Sequence, residues 1–457
     1  MSRLRPLFLG DIGAGDLIRL AREGHFEFTP ATEKHPSGLS YMEGFNAALA
    51  YWSMPYRGRT GRMIRFVLTV RHSDLAAEPR VVGILELGDE APFCSWRDNL
   101  IGLSMLATER WFGAAQHRAI GAEERLRRVR GTLRPLETGP NLASLTAREI
   151  LSRKAEIESL AAGRSTVRDH ELSQLFDRRR AIYALRLALG ETALHQISSG
   201  SPYTPETRRM LAEGTRALRD LMVPRLHMEV TVCGAIPPFS EVLGGKLVVA
   251  QFANPQVIQA ISTPLGDLIS RTFFPDALSE EIFSPGMTAI TTKGLYAGHS
   301  PLYNRATVPG TESHLVLRKI ADTAGQTSTL MSRATANAAR KLVASIEDAG
   351  ERKVSNVYGS GGAKRHRILE VAARQAGVSM ELVNAGIRRP VYGLGFVNNP
   401  EAVAWAKDAP DWRIDRSETE TQYVTRAVSE WRKRWVDKAL ARLQGRDVLQ
   451  GLPSELI

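Results

Sequence analysis

Apolar residues recur along this chain with two different periods, and the switches between them mark out its elements. Gly15 to Arg22 and Tyr41 to Trp52 have helical spacing and lead into the basic, turn-rich run Tyr56-Arg-Gly-Arg-Thr-Gly-Arg, so residues 1–60 read as an N-terminal helical segment. Met63-Ile-Arg-Phe-Val-Leu-Thr-Val and Arg80-Val-Val-Gly-Ile-Leu-Glu-Leu are β-branched runs separated by a polar linker, which predicts two neighbouring strands that begin a sheet within residues 61–106. Over residues 107–222 strand character gives way to Ala, Leu, Arg and Glu at helical spacing, broken at Pro135, Pro140, Gly163 and Ser199-Gly-Ser-Pro; this predicts a large α-helical insertion.

Strand character returns in Leu226-His-Met-Glu-Val-Thr-Val-Cys, the start of a main α/β domain over residues 223–400. Its further strand candidates are Met287-Thr-Ala-Ile-Thr-Thr, His314-Leu-Val-Leu and Val391-Tyr-Gly-Leu-Gly-Phe-Val, and helices are expected over 245–262, 327–349 and 363–376. Residues 401–457, with a charged helix over 421–443, complete the chain as a helical tail. The fold class is therefore α/β, a mixed sheet with flanking helices, interrupted by the insertion and finished by the tail.

Composition sharpens this. A chain of 457 residues with 43% hydrophobic residues has material for two or three cored domains. Cys94 and Cys233 stand far apart, which excludes a disulfide framework and a cysteine zinc motif. The longest apolar runs, such as Lys246 to Ala253, fall short of the roughly 20 residues of a membrane span, and Met1-Ser-Arg-Leu-Arg-Pro lacks the apolar core of a signal peptide, so the cytosol is expected and a membrane is not. Lys and Arg outnumber Asp and Glu by 60 to 49, a formal charge of +11 that favours polyanions; the alternative is a merely solvated surface.

Three segments carry candidate chemistry. In Val230-Thr-Val-Cys-Gly-Ala-Ile-Pro-Pro-Phe-Ser-Glu-Val-Leu-Gly-Gly-Lys a strand feeds a loop that ends at Gly244 and Gly245, at the start of a helix, with Lys246 following. Free N–H groups there would hold a phosphate, or the glycines would simply allow tight packing. Lys293-Gly-Leu-Tyr-Ala-Gly-His-Ser-Pro-Leu-Tyr-Asn-Arg follows a predicted strand and gathers His299, Ser300, Tyr303, Asn304 and Arg305; it reads as a site loop or as a polar turn around one buried tyrosine. Val357-Tyr-Gly-Ser-Gly-Gly-Ala-Lys-Arg-His-Arg opens a helix with Lys364, Arg365, His366 and Arg367, where cations oppose the helix dipole unless an anion is shared between backbone and side chains.

The basic runs Arg125-Leu-Arg-Arg-Val-Arg and Arg178-Arg-Arg would track a phosphate backbone or line a solvated helix face. The chain lacks a G-x-S-x-G elbow, an H-E-x-x-H pair and a Walker-type phosphate loop. Glu229, within a strand, is the candidate general base.

Cys233-Gly-Ala-Ile-Pro-Pro-Phe-Ser-Glu-Val-Leu-Gly-Gly-Lys-Leu-Val, Thr291-Thr-Lys-Gly-Leu-Tyr-Ala-Gly-His-Ser-Pro-Leu-Tyr-Asn-Arg and Arg389-Pro-Val-Tyr-Gly-Leu, in that order, resemble the Druantia anti-phage system protein A family, as do Val81-Val-Gly-Ile-Leu-Glu-Leu and Trp96-Arg-Asp-Asn-Leu-Ile-Gly-Leu-Ser. The resemblance implies phage defence beside other subunits, among them a large helicase-like partner, and implies no reaction. A second likeness, of element order, is to the fold of the N-acyltransferases that use acyl-coenzyme A, whose glycine signature stands here as Glu241-Val-Leu-Gly-Gly-Lys.

Three functions follow as expectations. In the first, a subunit binds nucleic acid, DNA rather than RNA, with Lys246, Arg305, Lys364, Arg365 and Arg367 on phosphates. In the second, an acyltransferase holds acyl-coenzyme A on Gly244, Gly245 and Lys246, with Glu229, Tyr303 or Asn304 acting on the acceptor. In the third, a scaffold binds protein through the insertion.

Overall fold

The computed structural model describes residues 2–52, 62–89, 94–133, 141–162, 170–262, 285–294, 300–323, 333–348, 362–378, 388–439 and 448–449. Its centre is one seven-stranded mixed sheet. In chain order the strands are β1 (Ile12–Gly13), β2 (His25–Pro30), β3 (Met63–His72), β4 (Ala76–Gly88), β5 (His227–Ala235), β6 (Ala289–Lys293), β7 (Thr307–Val308), β8 (Leu315–Val316), β9 (Arg318–Asp322), β10 (Pro390–Gly395) and β11 (Val448–Leu449). The large sheet runs β2-β3-β4-β5-β6-β10-β9, while β1 pairs with β11 and β7 with β8 in separate two-stranded ribbons.

Every neighbouring pair in the large sheet is antiparallel except β5 and β6. A parallel pair needs a long crossover, and here the chain between β5 and β6 supplies it. Pairing between β5 and β6 runs from His227 to Val230, whereas β5 stays paired with β4 through Ala235. The two parallel strands therefore fork after Val230. Next to the fork the β4–β5 register moves from Leu87 opposite Val230 to Glu86 opposite Val232, so Thr231 is a bulge residue.

Side chains of a strand alternate between faces. Met228 and Val230 enter the main core beneath the sheet, which also takes Phe26, Leu68, Leu85, Phe239, Leu247, Tyr392 and Trp431. His227 and Glu229 lie on the other face. Over that face sits the helical block between β4 and β5, formed by α1 to α9 less the two N-terminal helices: α1 (Ala14–Glu23) and α2 (Tyr41–Tyr51) precede it, and α3 (Ser95–Leu100), α4 (Met105–Ala114), α5 (Arg118–Gly131), α6 (Ala147–Ser152), α7 (Lys154–Ala162), α8 (His170–Ser198) and α9 (Pro205–Leu226) make it up.

The block has its own core of Leu126, Val129, Ala184, Leu187, Leu211, Leu218 and Trp405. Helices α8 and α9 cross at two glycines: a Cβ on Gly190 would stand 2.6 Å from Gly214 Cα, so either larger residue would force the helices apart.

Among the described residues, the helical spacing within 107–222 and the β-branched runs at Met63 and Arg80 thus fold as expected. Two strands of the large sheet lie outside the runs that the sequence pattern marked. β2 is an edge strand with the mixed sequence His-Phe-Glu-Phe-Thr-Pro, and β9 is the charged Arg-Lys-Ile-Ala-Asp at the opposite edge. β2 does alternate, burying Phe26 and Phe28, but it is short and ends in proline, whereas the charged β9 has no residue that is fully buried.

Candidate functional site: a cationic cluster beside the strand fork

The fork is filled by the chain itself. Ser300 begins a short helix, Pro301–Arg305, whose Tyr303 is buried; Thr292 Oγ1 donates to its hydroxyl at 3.2 Å, and its ring stands 5.4 Å from that of Tyr392. The Ser300 N–H donates to Tyr392 Oη at 2.9 Å. Burial drives the Tyr303 phenol well above its ordinary pKa, so it stays protonated.

On the other side of the fork the loop after β5 closes with Leu243 at φ +59°, and helix α10 (Gly244–Ala250) begins. The Leu243 carbonyl accepts from Trp431 Nε1 at 3.2 Å. Gly244 is needed because a Cβ would sit 2.2 Å from the Phe239 ring, and a Cβ on Gly245 would come 3.1 Å from Leu302. The two glycines therefore serve close packing around the loop. Lys246 is buried, and its ammonium donates to the carbonyl oxygens of Pro301 and Leu302, the latter at 2.6 Å. It ties α10 to the fork-filling helix.

That lysine is also the base of a cluster. Helix Glu420–Trp431 is capped by Thr419 and buries Tyr423, Val424, Ala427, Val428 and Trp431 on one face; it runs into the π-helical turn Arg432–Val436, where Trp435 is buried. Such widened turns recur at functional sites.

Around the Trp435 ring stand Lys246 Nζ at 5.2 Å, Arg434 Cζ at 5.2 Å and Lys438 Nζ at 5.1 Å from the centroid. Arg305, exposed at the end of its helix, is near enough to act on Lys246 as well. Burial, with the positive charges of Arg305 and Arg434, lowers the Lys246 pKa to about 8.

Among the described residues none of these four cations has a carboxylate partner. Arg434 donates to Thr307 Oγ1 at 3.3 Å, and the adjacent Asp437 pairs with Arg22 at 3.0 Å. Three cations about one aromatic ring, with a fourth beside one of them, are a ready receptor for an anion.

The other expected residues fall elsewhere. Glu229 is buried on the opposite face, where Lys293 Nζ holds it at 2.9 Å and the Trp96 ring lies 5.7 Å from the same ammonium. Beside it, His227 Nε2 is 2.9 Å from Thr291 Oγ1, and burial first, then Arg97 and Lys293, depress its pKa far below the ordinary range, so it is neutral. Asn304 is exposed, its backbone N–H bonded to Ser300 O at 3.0 Å. Glu229, Tyr303 and Asn304 thus occupy three different environments and do not meet as a catalytic group.

Lys364, Arg365 and Arg367 lie on helix Gly362–Gln375, with side chains outside the described residues, as is His299. In the basic run at Arg125, Arg125 donates to Val403 O at 3.2 Å and Arg130 pairs with Glu191, both buried, while Arg127 and Arg128 pair with Glu124 along the same exposed face. Those cations are spent within the fold.

The cluster combines Lys246 and Arg305, which the sequence singled out, with Arg434, Lys438 and Trp435, which it did not. The available signal was the alternation of tryptophan and basic residues in Trp431-Arg-Lys-Arg-Trp-Val-Asp-Lys.

Among the described residues no helix is long and apolar enough to cross a membrane, and no group of His, Cys, Asp and Glu is arranged to hold a metal ion. The sequence profile of the family described as Druantia protein DruA matches residues 206–404, which include β5, β6, β10 and the fork. No curated protein and no solved structure matches the chain.

Proposed function

From the premise that residues 206–404 belong to the Druantia protein DruA family, and the chain with them to the Druantia anti-phage system, we propose that this component binds nucleic acid through its phosphates. The observation that carries the reading is the convergence of Lys246, Arg434 and Lys438 on Trp435, with Arg305 beside Lys246 and no carboxylate among the described residues to neutralise them. Elsewhere several cations of this basic chain are paired with carboxylates, among them Arg62, Arg97, Arg130 and Arg219. Phosphate is the anion that such a set of ammonium and guanidinium donors suits, the guanidinium through its fork and the ammoniums as point charges. Lys364, Arg365 and Arg367, at the start of their helix, are proposed as further phosphate contacts, and other subunits of the defence system as protein partners.

The test is fluorescence anisotropy with labelled single- and double-stranded DNA and RNA at about 50 and 200 mM salt. Binding that weakens steeply with salt, and that is lost in Arg434→Glu with Lys438→Glu, is expected, with DNA preferred. Absence of binding at the lower salt would remove the reading.

One observation favours a second reading, an acyl-coenzyme-A-dependent transferase. The fork between the two parallel strands lies beside Gly244, Gly245 and Lys246, and ligands of open sheets gather at such switch points, although the helix Pro301–Arg305 fills this one. In this reading the same cations hold the coenzyme's phosphates. A coenzyme A ester that raises the melting temperature in proportion to the logarithm of its concentration supports it. No shift at saturating ester leaves the first reading alone.

A further inference from the structure

We infer that the Trp435 cluster recognises a terminal phosphate, the phosphomonoester or polyphosphate end of a strand or a nucleotide, in preference to the phosphodiesters within a strand. The inference rests on the phosphate-binding reading above and adds which phosphate is bound.

The geometry is compact. Lys246 Nζ, Arg434 Cζ and Lys438 Nζ each lie within 5.2 Å of one ring centroid, so no two of them are more than about 10.4 Å apart. Arg305 acts on the same lysine. A surface that follows the interior of a strand sets its cations out in a row, because each phosphodiester carries a single charge and successive ones are displaced along the axis. Here they are gathered around one side chain instead. A terminal phosphate brings a charge of about −1.5 to −2 at neutral pH and three strong acceptor oxygens to such a cluster.

The donors also divide in a way that suits an end group. The Lys246 ammonium has three N–H groups, and two are committed to the Pro301 and Leu302 carbonyls, which fixes the direction of the third. Arg434 is steadied by Thr307 Oγ1 at 3.3 Å, whereas Arg305 and Lys438 are exposed and free to close over an oxygen. Trp435 is 9% exposed, so its ring offers no face for a base to stack on. The cluster reads charge and terminus, not base identity.

The experiment compares the full chain's affinity for a short single strand, labelled at its 3′ end, that bears either a 5′-phosphate or a 5′-hydroxyl, with inorganic pyrophosphate and ATP as competitors. The 5′-phosphate strand is expected to bind about tenfold more tightly, the yield of one added charge-assisted contact. Arg434→Glu with Lys438→Glu should abolish that difference while leaving the melting temperature unchanged.

Equal affinity for the two strands, with both still bound, overturns the inference and leaves the nucleic-acid reading standing. Binding of pyrophosphate and ATP with neither strand bound does the reverse: it identifies a free nucleotide as the source of the terminal phosphate and removes the nucleic-acid reading. No binding of strand, pyrophosphate or ATP overturns both.

Discussion

The cations on the insertion side of the sheet and those around Trp435 have opposite fates. On the insertion side several buried guanidiniums meet carboxylates. Arg130 is joined to Glu191 by two bonds, of 2.6 and 3.1 Å, and also donates to Leu145 O, locking α5 to α8; Arg97 Nη2 pairs with Asp98 at 2.6 Å, and Arg219 bridges Asp98 and Asp220 at 3.2 and 3.0 Å, between α3 and α9; Arg62 grips Asp89 at 2.6 Å. Around Trp435 four cations share one neighbourhood with no such partner among the described residues. A buried charge without a counter-charge is costly, so the first set is held in place by folding alone. The second set keeps its repulsion, and an anion from outside would relieve it. The described cations therefore include some that build the fold and some that remain available.

The largest effect should come from breaking the first set. Arg130→Ala leaves Glu191 buried without its partner, and a loss of about 3–5 kcal/mol in urea unfolding is expected; a loss below about 1 kcal/mol would mean that water reaches the pair and that the insertion is loosely joined. Next comes the second set: Arg434→Glu with Lys438→Glu should weaken nucleic-acid binding by about a hundredfold or more while moving stability by less than about 0.5 kcal/mol, because both side chains are exposed. A matching fall in stability would place these residues with the structural cations.

A smaller effect is expected from pH. Lys246 is charged below about 8 and neutral above it, so affinity for phosphate should fall as pH rises from 7 to 9. Stability should move the other way. The folded-state pKa is below the unfolded one, so between them the unfolded chain holds the extra proton, and stability rises with pH from about 8 towards the ordinary lysine value. The facing groups are Arg305, Arg434 and Lys438, and Cys233, whose thiol burial pushes up and keeps neutral. Lys246→Met, compared with the parent chain in the same titration, should flatten both trends.

The smallest effect is predicted for Arg127→Glu with Arg128→Glu, on the exposed face of α5. Their partners are Glu123 and Glu124 within the same helix, and each such pair contributes only a few tenths of a kcal/mol. Binding should be unaffected; a loss comparable to that at Arg434 would show that the basic run of the insertion contacts the ligand after all.

Much of this molecule was legible without coordinates. The α/β class, the strands from Met63 and Arg80, the strand around Glu229 and the long helical stretch between them follow from period alone, because a half-buried strand and an amphipathic helix repeat their apolar positions at 2.0 and 3.6 residues. The order of the motifs from Cys233 to Tyr392 pointed to the family whose profile matches residues 206–404.

The roles of individual residues were not legible, since a lysine, a glycine pair or a tyrosine is the same letter whether it binds a ligand or packs a core. Only the tertiary structure placed Phe239 against Gly244, turned the Lys246 ammonium onto two carbonyls and sealed Tyr303 in the strand fork. Only it carried Arg434, Trp435 and Lys438, nearly 190 positions further along the chain than Lys246, to that lysine's side. Periodicity is set by a residue's immediate neighbours and can be read along the chain. The pairing of a charge depends on what folding brings beside it, and that is decided in three dimensions.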